Sequence, residues 1–334
     1  MNKAVHIVWW ILIGVAGLAA QFYIAKLATE TEKDPDLAET AQFTPEMYPE
    51  IAAGITREAL EGHIEALSGI PSRLTGTAGA DEAADYILAQ FRELGVGEPV
   101  VREFPVTVPV HDRAEIQTAG RVYPMHPLYP NGVCPPASPE EGLETRLVYA
   151  GFGRLSDIKG KDIAGSTVVV ETGGREQWLY LIDLGAEAII FVEHERPARS
   201  AYEFTQTGSH QSVPRFWMTK SEGAPLLERV KRADVPATLH CDARWEQRVG
   251  KNIWVEIPGV SDAPHNVDEF VVLESYYDSA SFAPDLAPGA EQTCGIAALL
   301  ELAKVVRDHP FEKRVRILAT AGHFQALGGI RRYV

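Results

Sequence analysis

Residues 269–322 decide the fold, because they contain EFVVLESYY (269–277), CGIAALLELAKVVRD (294–308) and RVRILATAG (314–322). The first and last runs are continuously apolar and rich in Val, Ile and Leu, which is typical of buried strands, and the middle run has helical periodicity. Two buried strands separated by a helix predict a parallel strand–helix–strand unit. We therefore expect an α/β fold with a doubly wound, mostly parallel sheet that helices cover on both faces.

The polar residues of this stretch follow the predicted strands. In a parallel sheet, ligands bind where the strands end at their carboxyl edge, and here those places are Tyr276–Ser281 and Ala321–Gln325. Asp278 and His323 fall at these strand ends, and Glu291 falls just before the helix. Carboxylate and imidazole groups are ligands that suit zinc. Three alternatives stay open: a single-metal site, a hydrogen-bonded polar cluster, or a pocket for a non-metal ligand.

A second α/β module precedes this core. Between residues 105 and 248, strand-like runs such as AEAIIFVE (186–193) alternate with helical runs such as SEGAPLLERVKRA (221–233), which predicts a small α/β module. Upstream of it, the amphipathic helix Ala80–Leu94 is expected to pack beside the strand Glu269–Ser275. The predicted organisation is an N-terminal part of the core at 56–104, the module at 105–248 and the rest of the core at 249–334. That last part stops one turn into a helix, so we expect a C-terminally incomplete core.

The N-terminus predicts a membrane anchor. The 22 residues Ala4–Ala25 are largely apolar, and at ~1.5 Å per residue they span about 33 Å, enough to cross a bilayer. We interpret residues 1–27 as a single transmembrane helix in contact with lipid, followed by an acidic linker at 28–55. The alternative is a cleaved signal segment. The first interpretation predicts an extracytoplasmic domain tethered to the membrane, and the second predicts a secreted protein.

The composition excludes several classes of protein. Of 334 residues, 31 are Lys or Arg and 46 are Asp or Glu, giving a net charge of −15 that disfavours nucleic-acid binding. The hydrophobic content of 46% is too high for a largely disordered chain. Three cysteines are too few for a disulfide scaffold.

Several blocks of sequence resemble one known family. They are SRLTGTAGADEAADYILAQFRELG (72–95), LVYAGFGRLSDIKGKDIAGSTVVV (147–170), VVLESYYDSAS (271–281) and VRILATAGHFQALGGIRRYV (315–334). In this order they resemble the co-catalytic di-zinc aminopeptidases, family twenty-eight of the metallopeptidases. The resemblance implies an aminopeptidase-like hydrolase core, zinc as cofactor, peptides as ligands, and a protease-associated domain inserted at the module.

The same resemblance shows departures at the metal site. The family has a His-x-Asp-Ser strand end whose His binds zinc, and here Tyr276 replaces that His, although Asp278, which orients it in the family, is kept. Glu291 stands where the family has an Asp that bridges the metals. His323 and Phe324 replace a Glu-Glu pair that acts as general base and ligand. Two further ligands, an Asp and a His, either follow the printed sequence or are absent.

Three functions are therefore predicted. The leading one is a membrane-anchored, extracytoplasmic aminopeptidase-like pseudoenzyme with a degenerate, non-classical metal site, which binds a peptide or scaffolds membrane-protein partners. The second is a divergent zinc-dependent aminopeptidase, with Glu291 and His323 as ligands, His323 at the general-base position and Asp278 in support. The third is a structural subunit of a membrane complex.

Two smaller expectations concern Tyr276 and Arg73. If the site has lost its metal, the Tyr276 hydroxyl should hydrogen-bond to Glu291 or His323, directly or through one water, because a buried hydroxyl without a partner is costly. Arg73, in the SRLTG loop, either binds a substrate carboxylate or ties the loop through a salt bridge.

Overall fold

A computed structural model describes residues 53–129, 135–194, 212–260 and 269–334, together with Pro49. Residues Ile55–Val334 form one compact unit. The predicted anchor at 1–27 and nearly all of the predicted linker at 28–55 lie outside the described residues. Within the described part, no helix combines the length and apolar character needed to span a bilayer.

The elements follow one another in a mixed α/β order. The helices are α1 (Arg57–Ser68), α2 (Ala78–Glu93), α3 (Leu179–Asp183), α4 (Lys220–Val230), α5 (Cys294–Asp308) and α6 (Ile330–Tyr333), with 3₁₀ turns at Arg175–Trp178 and Glu291–Thr293. The strands are β1 (Val100–Val110), β2 (Ala114–Thr118), β3 (Arg121–Pro124), β4 (His126–Pro127), β5 (Leu143–Tyr149), β6 (Thr167–Glu171), β7 (Ala188–Val192), β8 (Arg215–Met218), β9 (Val235–Cys241), β10 (Arg244–Ile257), β11 (Phe270–Tyr276) and β12 (Arg314–Thr320).

The core sheet has four strands in the order β1-β10-β12-β11. Strands β11 and β12 are parallel and α5 connects them, which confirms the predicted strand–helix–strand unit. The prediction of a mostly parallel sheet is wrong, because β10 runs antiparallel to both of its neighbours, β1 and β12. The reason is that β10 is reached from the second sheet and not through a crossover helix.

The three long helices of the core pack on one face of this sheet. Ala83, Ile87 and Phe91 of α2 share a buried cluster with Ile253 of β10 and Ile317 of β12. Full burial of each large apolar side chain contributes about 1.5–3 kcal/mol. Helices α1 and α5 belong to the same cluster. The opposite face is contacted by the one-turn helix α6, because its Tyr333 packs on Trp254 of β10 and accepts a hydrogen bond from Arg316 of β12.

The position of α2 differs from the expectation. The helix packs mainly on β10, while α5 covers β11 and β12. The strand order explains this, because β12 lies between β10 and β11. Helix α2 is held close to the SRLTG loop, since a Cβ atom at Gly79 would lie 1.9 Å from the carbonyl oxygen of Ser72.

A second sheet of eight strands is formed within Ala114–Cys241, in the order β3-β2-β9-β5-β6-β7-β8-β4. Strands β5 to β8 are parallel, and the outer pairings are antiparallel. Helix α4 and the segment containing α3 cover opposite faces, each with its own apolar cluster. The predicted module limits of 105–248 stay a prediction.

Strands β1 and β10 lead into and out of the second sheet. They pair over their whole shared length, from Val100 opposite Trp254 to Val110 opposite Arg244. This pairing holds the second sheet against the end of the core, and the Tyr129 amide donates to the Phe282 carbonyl across the junction (3.0 Å).

Candidate functional site

The candidate site lies where β11 and β12 end. Because the two strands are parallel and Tyr276 is in register with Thr320, the residues that follow them meet at one edge of the sheet. The backbone N–H of His323 donates to Oδ2 of Asp278 at 3.1 Å. The structure therefore brings together two of the residues predicted for the site.

Three rings occupy this edge. The imidazole of His323 stacks on the phenol of Tyr276, with ring centroids 3.9 Å apart and planes 21° apart. Phe324 stands edge-on to both rings, at 5.7 Å from Tyr276 and 5.0 Å from His323. Among the described residues, none forms a hydrogen bond with the Tyr276 hydroxyl, so the expected direct bond to Glu291 or His323 is not formed, and the alternative of a bridging water stays a prediction. In a stacked pair the polar atoms lie in parallel planes and do not point at each other.

Asp278 is fully buried at the same edge of the sheet. Its Oδ2 accepts from the Thr75 hydroxyl at 3.0 Å, and the same hydroxyl oxygen accepts from the Gly322 amide at 2.7 Å. Its Oδ1 is buried and has no hydrogen-bond partner in the described part of the chain. Burial raises the pKa of the Asp278 carboxyl to about 6, although its hydrogen bonds oppose the shift.

Arg73 is fully buried, so it does not face a substrate, and it holds the SRLTG loop in place through hydrogen bonds. Its guanidinium donates to the carbonyl oxygens of Leu67 (2.7 Å), Tyr277 (3.0 Å) and Gly289 (3.2 Å). Burial lowers the pKa of the Arg73 guanidinium to about 10, and the charge of Asp278 opposes the change. Arg73 therefore fixes the SRLTG loop, as one of the two alternatives predicted. It does so through hydrogen bonds to carbonyl groups and, among the described residues, not through a salt bridge.

A cleft of about 760 Å³ opens beside the strand ends. Most of its lining is apolar, and its aromatic walls include Tyr129, Trp245, Phe282 and Phe324. The rings of Tyr129 and Trp245 lie 5.3 Å apart, so the second sheet and the core both contribute to the wall. Glu291 is exposed and lines the same cleft.

The described residues contain no group of three or more His, Cys, Asp or Glu side chains placed to hold a metal ion. Asp278, Glu291 and His323 therefore do not form such a group. The assignment of Glu291 and His323 as ligands, and of His323 as general base, stays a prediction.

Sequence reasoning missed several residues of this region. Tyr129 follows β4 of the second sheet and Trp245 lies on β10 of the core sheet, and no local sequence pattern relates the two. Thr75 lies in the SRLTG segment, and its position two residues after Arg73 in a polar loop was the available signal. The partner of His126 could not be foreseen either: its Nδ1 lies 2.6 Å from Oδ2 of Asp285, which joins the second sheet to the loop that lines the cleft.

No protein-family model matches the chain. The chain is 26% identical over 271 residues to Aminopeptidase YwaD of Bacillus subtilis (strain 168), which covers 79% of this chain and 54% of that protein. The zinc aminopeptidase BSAP from Bacillus subtilis superposes with a TM-score of 0.54 at 22% identity, covering 81% of this chain and 63% of that one. A Peptidase M28 precursor from Shewanella amazonensis SB2B superposes with a TM-score of 0.50 at 21% identity, covering 85% and 68%. The chain has the aminopeptidase fold.

These likenesses confirm the coarse part of the family resemblance. The relative and the structural neighbours are aminopeptidases and a peptidase. The chain spans about half the length of the curated relative that it matches.

Proposed function

We propose that this chain is an aminopeptidase-like protein that binds peptides at the cleft and has lost the di-zinc chemistry of its relatives. The observation that carries the proposal is the ring stack of Tyr276, His323 and Phe324. According to the family resemblance, these three positions hold a zinc-binding His, a general base and a zinc-binding Glu. Here they hold aromatic side chains that pack on one another.

The residues present do not fit a di-zinc centre. Zinc takes nitrogen, thiolate or carboxylate ligands at about 2.0–2.3 Å, usually four of them. The Phe324 ring offers no such atom, and one face of the His323 imidazole is covered by Tyr276. Oδ2 of Asp278 already accepts two hydrogen bonds. The loss of a general base alone costs about 10²–10⁴ in rate.

The cleft supports the peptide-binding part of the proposal. Ligand sites are concave, mostly apolar and about 300–1,000 Å³ in volume, and the cleft of about 760 Å³ lies in this range. Tyr129, Trp245 and Phe282 provide apolar surfaces for a side chain, and the exposed Glu291 carboxylate provides negative charge for an amino terminus.

A second candidate is a divergent zinc-dependent aminopeptidase. The observation that favours it is Oδ1 of Asp278, a buried carboxylate oxygen with no hydrogen-bond partner among the described residues. Buried polar atoms are rarely left without a partner. In this alternative His323 and Glu291 would hold a single metal ion with the support of Asp278, and the ion would supply the activation of water for hydrolysis.

The location of the protein and its partners belong to the proposal as well. It includes an N-terminal anchor with the domain outside the cytoplasm, a protease-associated identity for the second sheet, and membrane-protein partners. The alternative of a structural subunit is supported by the outer strand β11, where Phe270, Val271 and Val272 are each more than a third exposed.

Elemental analysis of the purified full chain tests the proposal, together with hydrolysis of aminoacyl-nitroanilides with and without added zinc. We expect substoichiometric zinc and no turnover, while fluorescence anisotropy detects binding of a neutral peptide with an apolar N-terminal residue. Stoichiometric zinc with turnover that a chelator abolishes would establish the second candidate. The His323→Ala variant then serves as the control, because it should lose both.

A further inference from the structure

Two polar cavities lie next to each other, and one of them adjoins the cleft. One, of about 370 Å³, is lined by Arg102, Glu103, Phe104, Asn252, Arg331 and Arg332. The other, of about 360 Å³, is lined by Pro105, Val106, Thr107, Gln325, Gly328 and the same two C-terminal arginines. Because Arg331 and Arg332 line both cavities, the two form one groove between β1 and the start of α6. We call it the arginine groove.

The arginine groove is continuous with the cleft. Thr107 and Gln325 line both the second cavity and the cleft. A ligand can therefore extend from the aromatic walls at Trp245 and Phe324 past Gln325 to the arginines without leaving the surface of the protein.

The charge of the arginine groove is opposite to that of the chain. Arg102, Arg331 and Arg332 are exposed, and in the described part of the chain none of them forms an ion pair, whereas Glu103 is the one acidic residue among the lining. The whole chain carries a net charge of −15. A local excess of positive charge on an acidic protein attracts anionic groups, and the planar guanidinium matches a carboxylate with two parallel hydrogen bonds.

Gln325 marks the passage between the two sites. Its Nε2 donates to the Thr75 carbonyl at 3.4 Å, and its Oε1 is buried without a hydrogen-bond partner among the described residues. A peptide that runs from the cleft into the arginine groove would pass beside this side chain, because Gln325 lines both.

We propose that the preferred ligand is an acidic peptide: its apolar N-terminal residue occupies the cleft, and carboxylates a few residues downstream pair with Arg331, Arg332 and Arg102. This inference rests on the proposed peptide binding and adds the substrate class to it. Exposed ion pairs contribute about 0.2–1 kcal/mol each, so the arginine groove acts as a specificity element and the aromatic cleft supplies the remaining affinity.

The test compares three labelled peptides that differ at two positions: Leu-Ala-Ala-Glu-Glu-Ala, Leu-Ala-Ala-Gln-Gln-Ala and Leu-Ala-Ala-Lys-Lys-Ala. Anisotropy titrations of the full chain at low salt should show the acidic peptide binding about tenfold more tightly than the amide peptide, and the lysine peptide most weakly. The acidic advantage should shrink as salt is added.

Charge reversal assigns the effect to named residues. The double variant Arg331→Glu/Arg332→Glu should remove the acidic advantage and leave binding of the amide peptide unchanged. The matched control is Arg121→Glu/Lys159→Glu, which changes the net charge equally at two exposed side chains, one on β3 and one in the loop between β5 and β6, that form no ion pair with described residues. The control should keep the acidic advantage. Arg331→Gln/Arg332→Gln, checked by circular dichroism, replaces the reversal variant if that variant does not fold.

Several outcomes overturn the inference. If the acidic and amide peptides bound with equal affinity, the preference for acidic peptides would be disproved, but the proposed peptide binding would still hold. If the control variant lost its preference for the acidic peptide to the same extent, the overall charge of the protein would cause the preference, and not the arginine groove. Inorganic phosphate binding as tightly as the acidic peptide would mark an anion site unrelated to peptides. Failure of all three peptides to bind overturns the proposed function as well.

Discussion

His323 lies flat against Tyr276, with ring centroids 3.9 Å apart. The two rings come from the ends of parallel neighbouring strands, so the register of β11 and β12 places them together. Each ring covers one face of the other, and Phe324 closes the group from the side. An edge of the sheet that could hold polar ligands is thus filled by three side chains that stabilise one another through ring contacts.

Removal of the Tyr276 ring should destabilise this edge, whereas removal of its hydroxyl should not. Aromatic pairs contribute about 0.5–1.5 kcal/mol beyond the burial of their area. We expect Tyr276→Ala to lower the free energy of unfolding by about 1–3 kcal/mol in urea titrations. Tyr276→Phe keeps the stack and should change it by less than about 0.5 kcal/mol. An equal loss in both variants would show that the hydroxyl group matters.

Restoration of a metal site should require several changes together. Tyr276→His alone leaves Phe324 and His323 where the family has two carboxylates, so we expect neither bound zinc nor turnover. The triple variant Tyr276→His/His323→Glu/Phe324→Glu supplies one imidazole and two carboxylates, which are zinc ligands. It should gain zinc by elemental analysis relative to the single variant. Zinc bound by Tyr276→His alone would contradict the proposed loss.

Stability should depend on pH through Asp278. Burial raises its pKa to about 6, above the ordinary value of 3.8, so proton uptake favours the folded state. This stabilisation is fully present below about pH 4 and is lost as the pH rises through 6. Asp278→Asn keeps an acceptor for Thr75 and removes the charge. Its unfolding free energy relative to wild type should therefore increase between pH 4 and pH 7, by up to about 3 kcal/mol. If the difference in unfolding free energy between Asp278→Asn and wild type became smaller from pH 4 to pH 7, it would contradict the prediction.

Glu301 should make the free energy of unfolding depend on pH in the opposite direction to Asp278. Glu301 of α5 is buried and accepts from His63 of α1 (2.9 Å) and from Lys304 (2.5 Å). Burial alone would raise the pKa of Glu301, but the hydrogen bonds from Lys304 and His63 lower it overall. Its contribution is therefore present above the ordinary pKa of 4.5 and is lost as the pH falls through the folded value. Glu301→Gln should cost about 1–3 kcal/mol at pH 7 and less at pH 3, measured by urea unfolding. If the destabilisation caused by Glu301→Gln grew toward pH 3, it would contradict the lowered pKa of Glu301.

The fold was predictable where local sequence determines it. The apolar runs around 294–308 specify β11, α5 and β12, because periodicity and length are local properties. The pairing of Asp278 with the end of β12 follows from parallel strands ending at one edge. The antiparallel course of β10 was not predictable, since it depends on where the chain returns from the second sheet.

The candidate site was predictable in its position but not in its contacts. The stack of Tyr276 on His323 depends on side-chain rotamers that no sequence pattern records. The aromatic wall of Tyr129 and Trp245 depends on two segments more than a hundred residues apart in sequence. The arginine groove likewise joins Arg102 to the last turn of the chain through tertiary packing alone.

Arg73 should couple the stability of the fold to the shape of the cleft. Its guanidinium joins α1, the end of β11 and the loop at Gly289, which lines the cleft. Arg73→Lys keeps the charge but cannot reproduce the planar fork of donors, so buried carbonyl oxygens lose their partners at about 1–3 kcal/mol each. We expect the free energy of unfolding to fall by about 2–4 kcal/mol. We also expect the affinity for the neutral peptide to fall, because the loop is no longer fixed.

Arg121→Lys, at an exposed position of the second sheet, is the matched control and should change neither the free energy of unfolding nor the peptide affinity. If Arg73→Lys destabilised the protein and left peptide affinity at the wild-type level in the folded fraction, the Gly289 loop would not form the binding wall, and the peptide site would have to lie elsewhere.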